Sequence, residues 1–164
     1  MTLKHILVAT DFGEASETAL AYGRELTRQF RATLHVLHVV NDVAARLDMA
    51  AGVPPDMGHI QADLEARAHR DLTARVSDED RRVLNARIVL LTSAVPERSI
   101  VTYAAEAHID LIVMGTHGRG PVAHLFMGSV AERVVRRAPC PVLTVRHPEH
   151  EFVHPDALQT VARV

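Results

Sequence analysis

Five short apolar runs, the first four each followed by a stretch with helical spacing, constrain this chain more than any other feature. Ile6-Leu7-Val8-Ala9 is the first run, and it stops at Thr10-Asp11-Phe12-Gly13. Apolar residues at successive positions, without alternation, fit a strand buried on both faces, as in parallel sheets. Ala19, Tyr22, Gly23, Leu26 and Phe30 then recur at helical spacing, which predicts a helix over residues 16–30 with Ser16 as its N-cap. Residues 34–40 read as the second strand. Ile60, Leu64, Ala68, Leu72 and Val76 repeat every fourth position and predict one buried stripe on a long helix. Residues 83–91 read as the third strand, and Pro96 opens a helix whose buried side is Ile100, Val101 and Ala104. Asp110-Leu111-Ile112-Val113-Met114 is the fourth strand, residues 129–137 a last helix, and Pro141-Val142-Leu143-Thr144-Val145 the fifth strand. Strict alternation of strand and helix predicts an α/β fold, with a parallel sheet and helices on both faces joined by right-handed crossovers.

The remaining segments carry less pattern. Residues 41–58 contain Gly52, Pro54 and Pro55 and read as a long loop with a helical turn near residues 43–49. After His147 the pattern fades, so the expected organisation is one domain over residues 1–146 and a tail over 147–164. A length of 164 residues with 48% hydrophobic content suits a single core. The formal net charge of −2 argues against a protein held to nucleic acid mainly by phosphate contacts. One cysteine, Cys140, forms no internal disulfide, and the opening apolar run is too short for a membrane span. A cytoplasmic location is the expectation, with neither nucleic acid nor membrane as partner.

The segment from Gly115 to Ser129 has a chemical use. Gly115-Thr116-His117-Gly118-Arg119-Gly120 follows the fourth strand directly, and Gly128-Ser129-Val130 opens the last helix. Glycines let backbone N–H groups approach an anion without a Cβ in the way. A helix beginning at Ser129 turns unpaired N–H groups and a partial positive charge toward the same place. Ser129-Val130-Ala131-Glu132 also fits a capping box, in which the serine hydroxyl caps the helix instead of meeting a ligand. The two readings are compatible.

The spacing Gly115-x2-Gly118-x9-Gly128-Ser129 resembles the ATP-binding signature of the universal stress protein family, G-x2-G-x9-G-[S/T]. The opening strand ending in Asp11, the run Phe126-Met127-Gly128-Ser129-Val130-Ala131-Glu132-Arg133-Val134 and the run Pro139-Cys140-Pro141-Val142-Leu143-Thr144-Val145 are similar to that family as well. The resemblance covers roughly residues 3–146 and implies a five-stranded sheet in the order 3-2-1-4-5. Strands one and four are then neighbours whose connections leave to opposite sides, which is where ligands of such sheets sit. It further implies that Gly115, Gly118, Gly128, Ser129 and Val130 line ribose and phosphates, and that Asp11 lies near the ribose or a bound metal. Ala9, Thr10 and Met114 would line the strand ends, and Val39 or Val40 the adenine. Asp11, two residues before Gly13, also suits a turn residue that bonds its own backbone.

The expected ligand is ATP, or ADP or AMP. ATP carries several negative charges against about +0.5 at a helix N-terminus, so Mg²⁺ or Mn²⁺ is expected beside it, with Arg119 as a further cation. A Walker-type loop is absent and Lys4 is the only lysine. A Gly-x-Gly-x2-Gly fingerprint after the first strand is absent too, which removes the main argument for NAD. No catalytic set is apparent, and His117 reads as an exposed loop residue; the chain is at most a weak ATPase. His147, His150 and His154 are interrupted by Pro148 and Pro155 and read as no metal site, while His35 and His38 fall on opposite faces of a strand and read as packing residues. The edge strand 141–145 and the family resemblance imply a homodimer, besides unidentified protein partners. The function expected is a stress-response module regulated by nucleotide; a nucleotide-independent dimeric interaction protein on the same fold is the rival.

Overall fold

The computed structural model describes residues 2–46, 56–116 and 128–146. Their elements follow the order read from the sequence with one further short helix, α3: β1 (His5–Ala9), α1 (Glu14–Phe30), β2 (Thr33–Asn41), α2 (Met57–Arg75), α3 (Asp78–Val83), β3 (Arg87–Ser93), α4 (Pro96–Glu106), β4 (Leu111–Gly115), α5 (Ser129–Arg137) and β5 (Val142–Val145). A 3-10 turn at Ala44–Arg46 follows β2. The sheet order is β3-β2-β1-β4-β5, with every neighbouring pair parallel. None of the described helices is long and apolar enough to cross a membrane.

Alternation of side chains along the strands divides the core into two layers. Ile6, Val8, Leu34 and Val36 join Ala19 and Leu20 of α1 and Leu72 of α2 on one face. Leu7, Ala9, Leu37, Ile112 and Met114 join Ile100 and Ala104 of α4 and Ala131 and Val134 of α5 on the other. Gly23 lets α1 lie close to β1: a Cβ there would fall 2.3 Å from Val8 Cγ2.

Four local expectations need correction. Ser16 is not the N-cap of α1; Gly13 is, and Ser16 lies inside the first turn with its hydroxyl donating to the Gly13 carbonyl at 2.8 Å. The third strand begins at Arg87, not at residue 83, because Ser77 caps a short helix first. Ser77 and Asp80 make a reciprocal capping box, and buried Asp80 also takes the Arg24 guanidinium at 2.9 Å, tying α3 to α1. Burial alone would raise Asp80; Arg24 and Ser77 outweigh it and hold the carboxyl below its ordinary range. Only the second half of the α2 stripe is covered: Ala68, Leu72 and Val76 are buried, whereas Ile60 and Leu64 are exposed. Glu65 already meets Thr92 near the end of β3, so the turns before it extend past the edge of the sheet. The reading of Ser129 as a cap fails as well, for reasons that belong to the site.

His35 and His38 do point to opposite faces, and both are packed and bonded. His35 is buried on the α4 side, where its Nδ1 lies 2.8 Å from Tyr103 Oη and its Nε2 3.2 Å from His5 Nδ1. Burial, then His5 and Arg87, lowers its pKa from 6.5 to about 4. The folded chain therefore resists a proton that the unfolded chain accepts, and stability is fully present above 6.5 and is lost as pH falls toward about 4. Thermal melts across this window should show the loss, and His35→Phe, though less stable at pH 7.5, should show a shallower decline. An equal decline in both proteins would refute the assignment.

Candidate functional site

β1 and β4 are adjacent, and the chain leaves them to opposite faces: into α1 on one side and, through residues 116–128, into α5 on the other. A crevice therefore opens outside their carboxyl ends. Thr116 N–H donates to Val145 O at 2.8 Å, and Gly128 N–H returns to Thr116 O at 2.6 Å, so residues 117–127 depart and come back at one point. Gly118 and Arg119, expected at the site, lie outside the described residues, as do His117 and the histidines of the tail.

Gly128, with φ −59° and ψ 144°, is the N-cap of α5, and its carbonyl receives Glu132 N–H at 3.0 Å. Ser129 is thus already the first helical residue and no side-chain cap forms, because its hydroxyl is past the position from which an N-cap reaches the second and third amides. The Gly128 N–H is taken by Thr116, which leaves the N–H groups of Ser129, Val130 and Ala131 without an intrahelical acceptor. Glu132, the one acid of that first turn, is bonded to Arg136. The start of α1 carries two acids, Glu14 and Glu17, the second paired with Arg75, against the single Glu132 at the start of α5. Of the two helix starts beside the crevice, α5 is the one suited to an anion.

Apolar side chains form the floor. Ala9 pairs in register with Met114 across β1 and β4, and both belong to the buried cluster on the α4–α5 face, with Val39 and Val130 packed against it. Val40 falls on the opposite face and is buried. On the β1 side, Thr10 is buried and its groups are engaged internally. Its N–H donates to Leu37 O, its hydroxyl lies 3.0 Å from the Ser16 hydroxyl and accepts from Phe12 N–H, and its carbonyl lies 2.8 Å from His38 Nδ1. The Asp11 carboxylate is half-buried and accepts Gly13 N–H through Oδ1 at 3.0 Å, the local turn that its position before Phe12-Gly13 suggested.

Gly115 has a second role that sequence spacing does not disclose. A Cβ on it would stand 2.9 Å from both the carbonyl carbon and the Cβ of Ala15 and 3.1 Å from Ser16 N. The glycine admits the first turn of α1 against the end of β4, which holds the two helix starts near each other. A further contact missed from sequence is Glu97, which is buried at the start of α4 and accepts Arg133 of α5 at 2.9 Å. Burial would raise its carboxyl; its own backbone N–H and Arg133 prevail and keep it below the ordinary range. This pair braces α5 against α4. Among the described residues no cluster of three or more metal-binding side chains occurs, so Asp11 belongs to no such cluster. A carboxylate in that setting would hold Mg²⁺ together with phosphate and water oxygens.

The sequence model of the Universal stress protein family matches residues 2–146. The chain belongs to the universal stress protein family. A universal stress protein from Thermus aquaticus is 33% identical over 143 residues, covering 87% of this chain and 98% of that one. Among solved structures, universal stress protein UspA from Lactobacillus plantarum superposes with a TM-score of 0.76 at 26% identity, covering 89% of this chain and 99% of that one. The universal stress protein from Archaeoglobus fulgidus, solved in complex with dAMP, shares the fold at a TM-score of 0.62 and 23% identity, covering 88% and 99%.

Gly115→Ala in this universal stress protein should lower stability without any ligand by about 1–3 kcal/mol, the usual cost of overpacking, measured by urea denaturation. Unchanged stability would mean that Gly115 serves a ligand alone.

Proposed function

We propose that this chain binds an adenine nucleotide, ATP or its ADP or AMP forms, in the β1–β4 crevice and acts as a stress-response module regulated by that nucleotide. The observation that carries the reading is the set of three N–H groups at Ser129, Val130 and Ala131, directed from the start of α5 beside an apolar floor. Phosphates take the amides and the helix dipole. The base lies against Val39, which shares its face with Ala9, Met114 and Val130, whereas Val40 faces the other layer. Asp11 stands at the ribose or at a Mg²⁺ or Mn²⁺ ion that offsets phosphate charge, and Gly118 and Arg119 complete the loop. The dAMP complex of the Archaeoglobus fulgidus protein supports an adenine nucleotide as the ligand class. A homodimer through β5 belongs to the same proposal, since β5 pairs with β4 on one side only and exposes Leu143.

Calorimetry with Mg-ATP, together with mass analysis of nucleotide released on denaturing the purified protein, tests the reading. Binding should weaken at least about tenfold, or 1.4 kcal/mol, in Asp11→Ala. Absence of both released nucleotide and binding heat in the wild type would overturn it.

A further inference from the structure

Phe12 occupies the left-handed region, at φ 66°. A bulky residue is rarely found there, and glycine would meet the geometry at less cost. A residue held in so unfavourable a conformation is over-determined by its surroundings, and such residues gather at functional sites. Contacts with β2, α2 and the core help to hold it. The Phe12 ring stacks on His38 at 4.2 Å between centroids and 27° between planes. The Arg75 guanidinium lies over the Phe12 ring, 4.6 Å from its centroid. Phe12 also packs against the core layer beneath α1 and α2.

Each holder is itself anchored. His38 Nδ1 lies 2.8 Å from the Thr10 carbonyl, so the imidazole grips the loop on both sides of Asp11. Arg75 pairs with Glu17 in the first turn of α1 and donates to Asp71 O at 3.0 Å, while its own carbonyl accepts Arg24 at 2.6 Å. Arg24 in turn grips Asp80 at the start of α3. The loop between Thr10 and Gly13 is thus fixed by side chains of β2 and α2, elements remote from it in sequence.

The consequence for Asp11 is direct. With Phe12 left-handed, Phe12 N–H turns to the Thr10 hydroxyl and Gly13 N–H to Asp11 Oδ1, each at 3.0 Å. The carboxylate curls over Gly13, where even a Cβ would lie 3.1 Å from Oδ1. We propose that Phe12, His38 and Arg75 form a positioning clamp that fixes the Asp11 carboxylate for the nucleotide, so that the end of α2 sets the affinity of the site. The proposal rests on the nucleotide reading above for its effect on binding, but not for its effect on the loop. A displacement of α2 that withdraws Arg75 would release Phe12 and alter binding without touching a ligand contact.

Amide hydrogen exchange at Gly13, whose N–H bonds Asp11, reads the loop without any ligand, and Mg-ATP titration reads the consequence. Arg75→Met and His38→Phe should each speed Gly13 exchange and weaken Mg-ATP about two- to thirtyfold, the range for residues acting through coupling. Arg28→Met, remote from the loop, should change neither. Phe12→Gly should behave as the two clamp variants do, although it relieves the backbone conflict. Unchanged Gly13 exchange in Arg75→Met and His38→Phe would overturn the clamp. Faster exchange with wild-type affinity would also overturn it, leaving only a packing role. Faster exchange in a protein whose wild type binds no nucleotide would uphold the clamp on the loop and refute the nucleotide reading instead.

Discussion

The contact between Gly115 and the first turn of α1 is the constraint on which the rest of the structure depends. Because nothing projects from Gly115, Ala15 and Ser16 settle directly on the end of β4. Thr116 then bonds the end of β5 and receives Gly128, which starts α5 on the other side of the sheet. Two chain turns from distant parts of the sequence are thereby brought to the carboxyl ends of β1 and β4. Side-chain bonds then differentiate them: acids and a curled carboxylate on the α1 side, uncommitted amides on the α5 side.

That asymmetry explains how a chain with a net charge of −2 can offer a place to a polyanion. Among the described residues the favourable potential comes from oriented N–H groups in the first turn of α5. The Glu97–Arg133 pair holds α5 against α4, so the direction of those amides is set by packing away from the crevice. On the other side the Phe12 clamp does the same for Asp11. On the proposed reading, both parts are held by contacts away from the crevice, which would lower the ordering cost of binding.

Most of the fold was legible because the central strands β1 and β4 are buried on both faces and read as unbroken apolar runs, and the other strands are short and mainly apolar. The order 3-2-1-4-5 was legible only through the family resemblance, since alternation of strand and helix is compatible with other orders. Helix starts were read less well. Gly13 and Gly128 have no side chain with which to announce a cap, so Ser16 and Ser129 took their place in the sequence reading. The box Ser77-Asp78-Glu79-Asp80 was available as a signal, yet the apolar run after it suggested a strand four residues too early. Within the candidate site, Gly115 and Gly128 stand out by their places at a strand end and a helix start, whereas Ala9 and Met114 were expected through the family resemblance. The separation of Val39 from Val40 follows only once the strand's orientation is known. The roles of Phe12, His38, Arg75 and Glu97 depend on contacts between residues 26 to 63 positions apart, which no local pattern encodes.

The account stands or falls on whether the amides opening α5 receive the phosphates. Residue-resolved amide chemical shifts during a Mg-ATP titration measure this directly. Large shifts at Ser129, Val130 and Ala131, with accompanying changes from Thr10 to Gly13, are the result the account predicts. Saturable binding that leaves those three amides unmoved, with shifts instead at the opposite pole around Arg28 and Arg31, would contradict it.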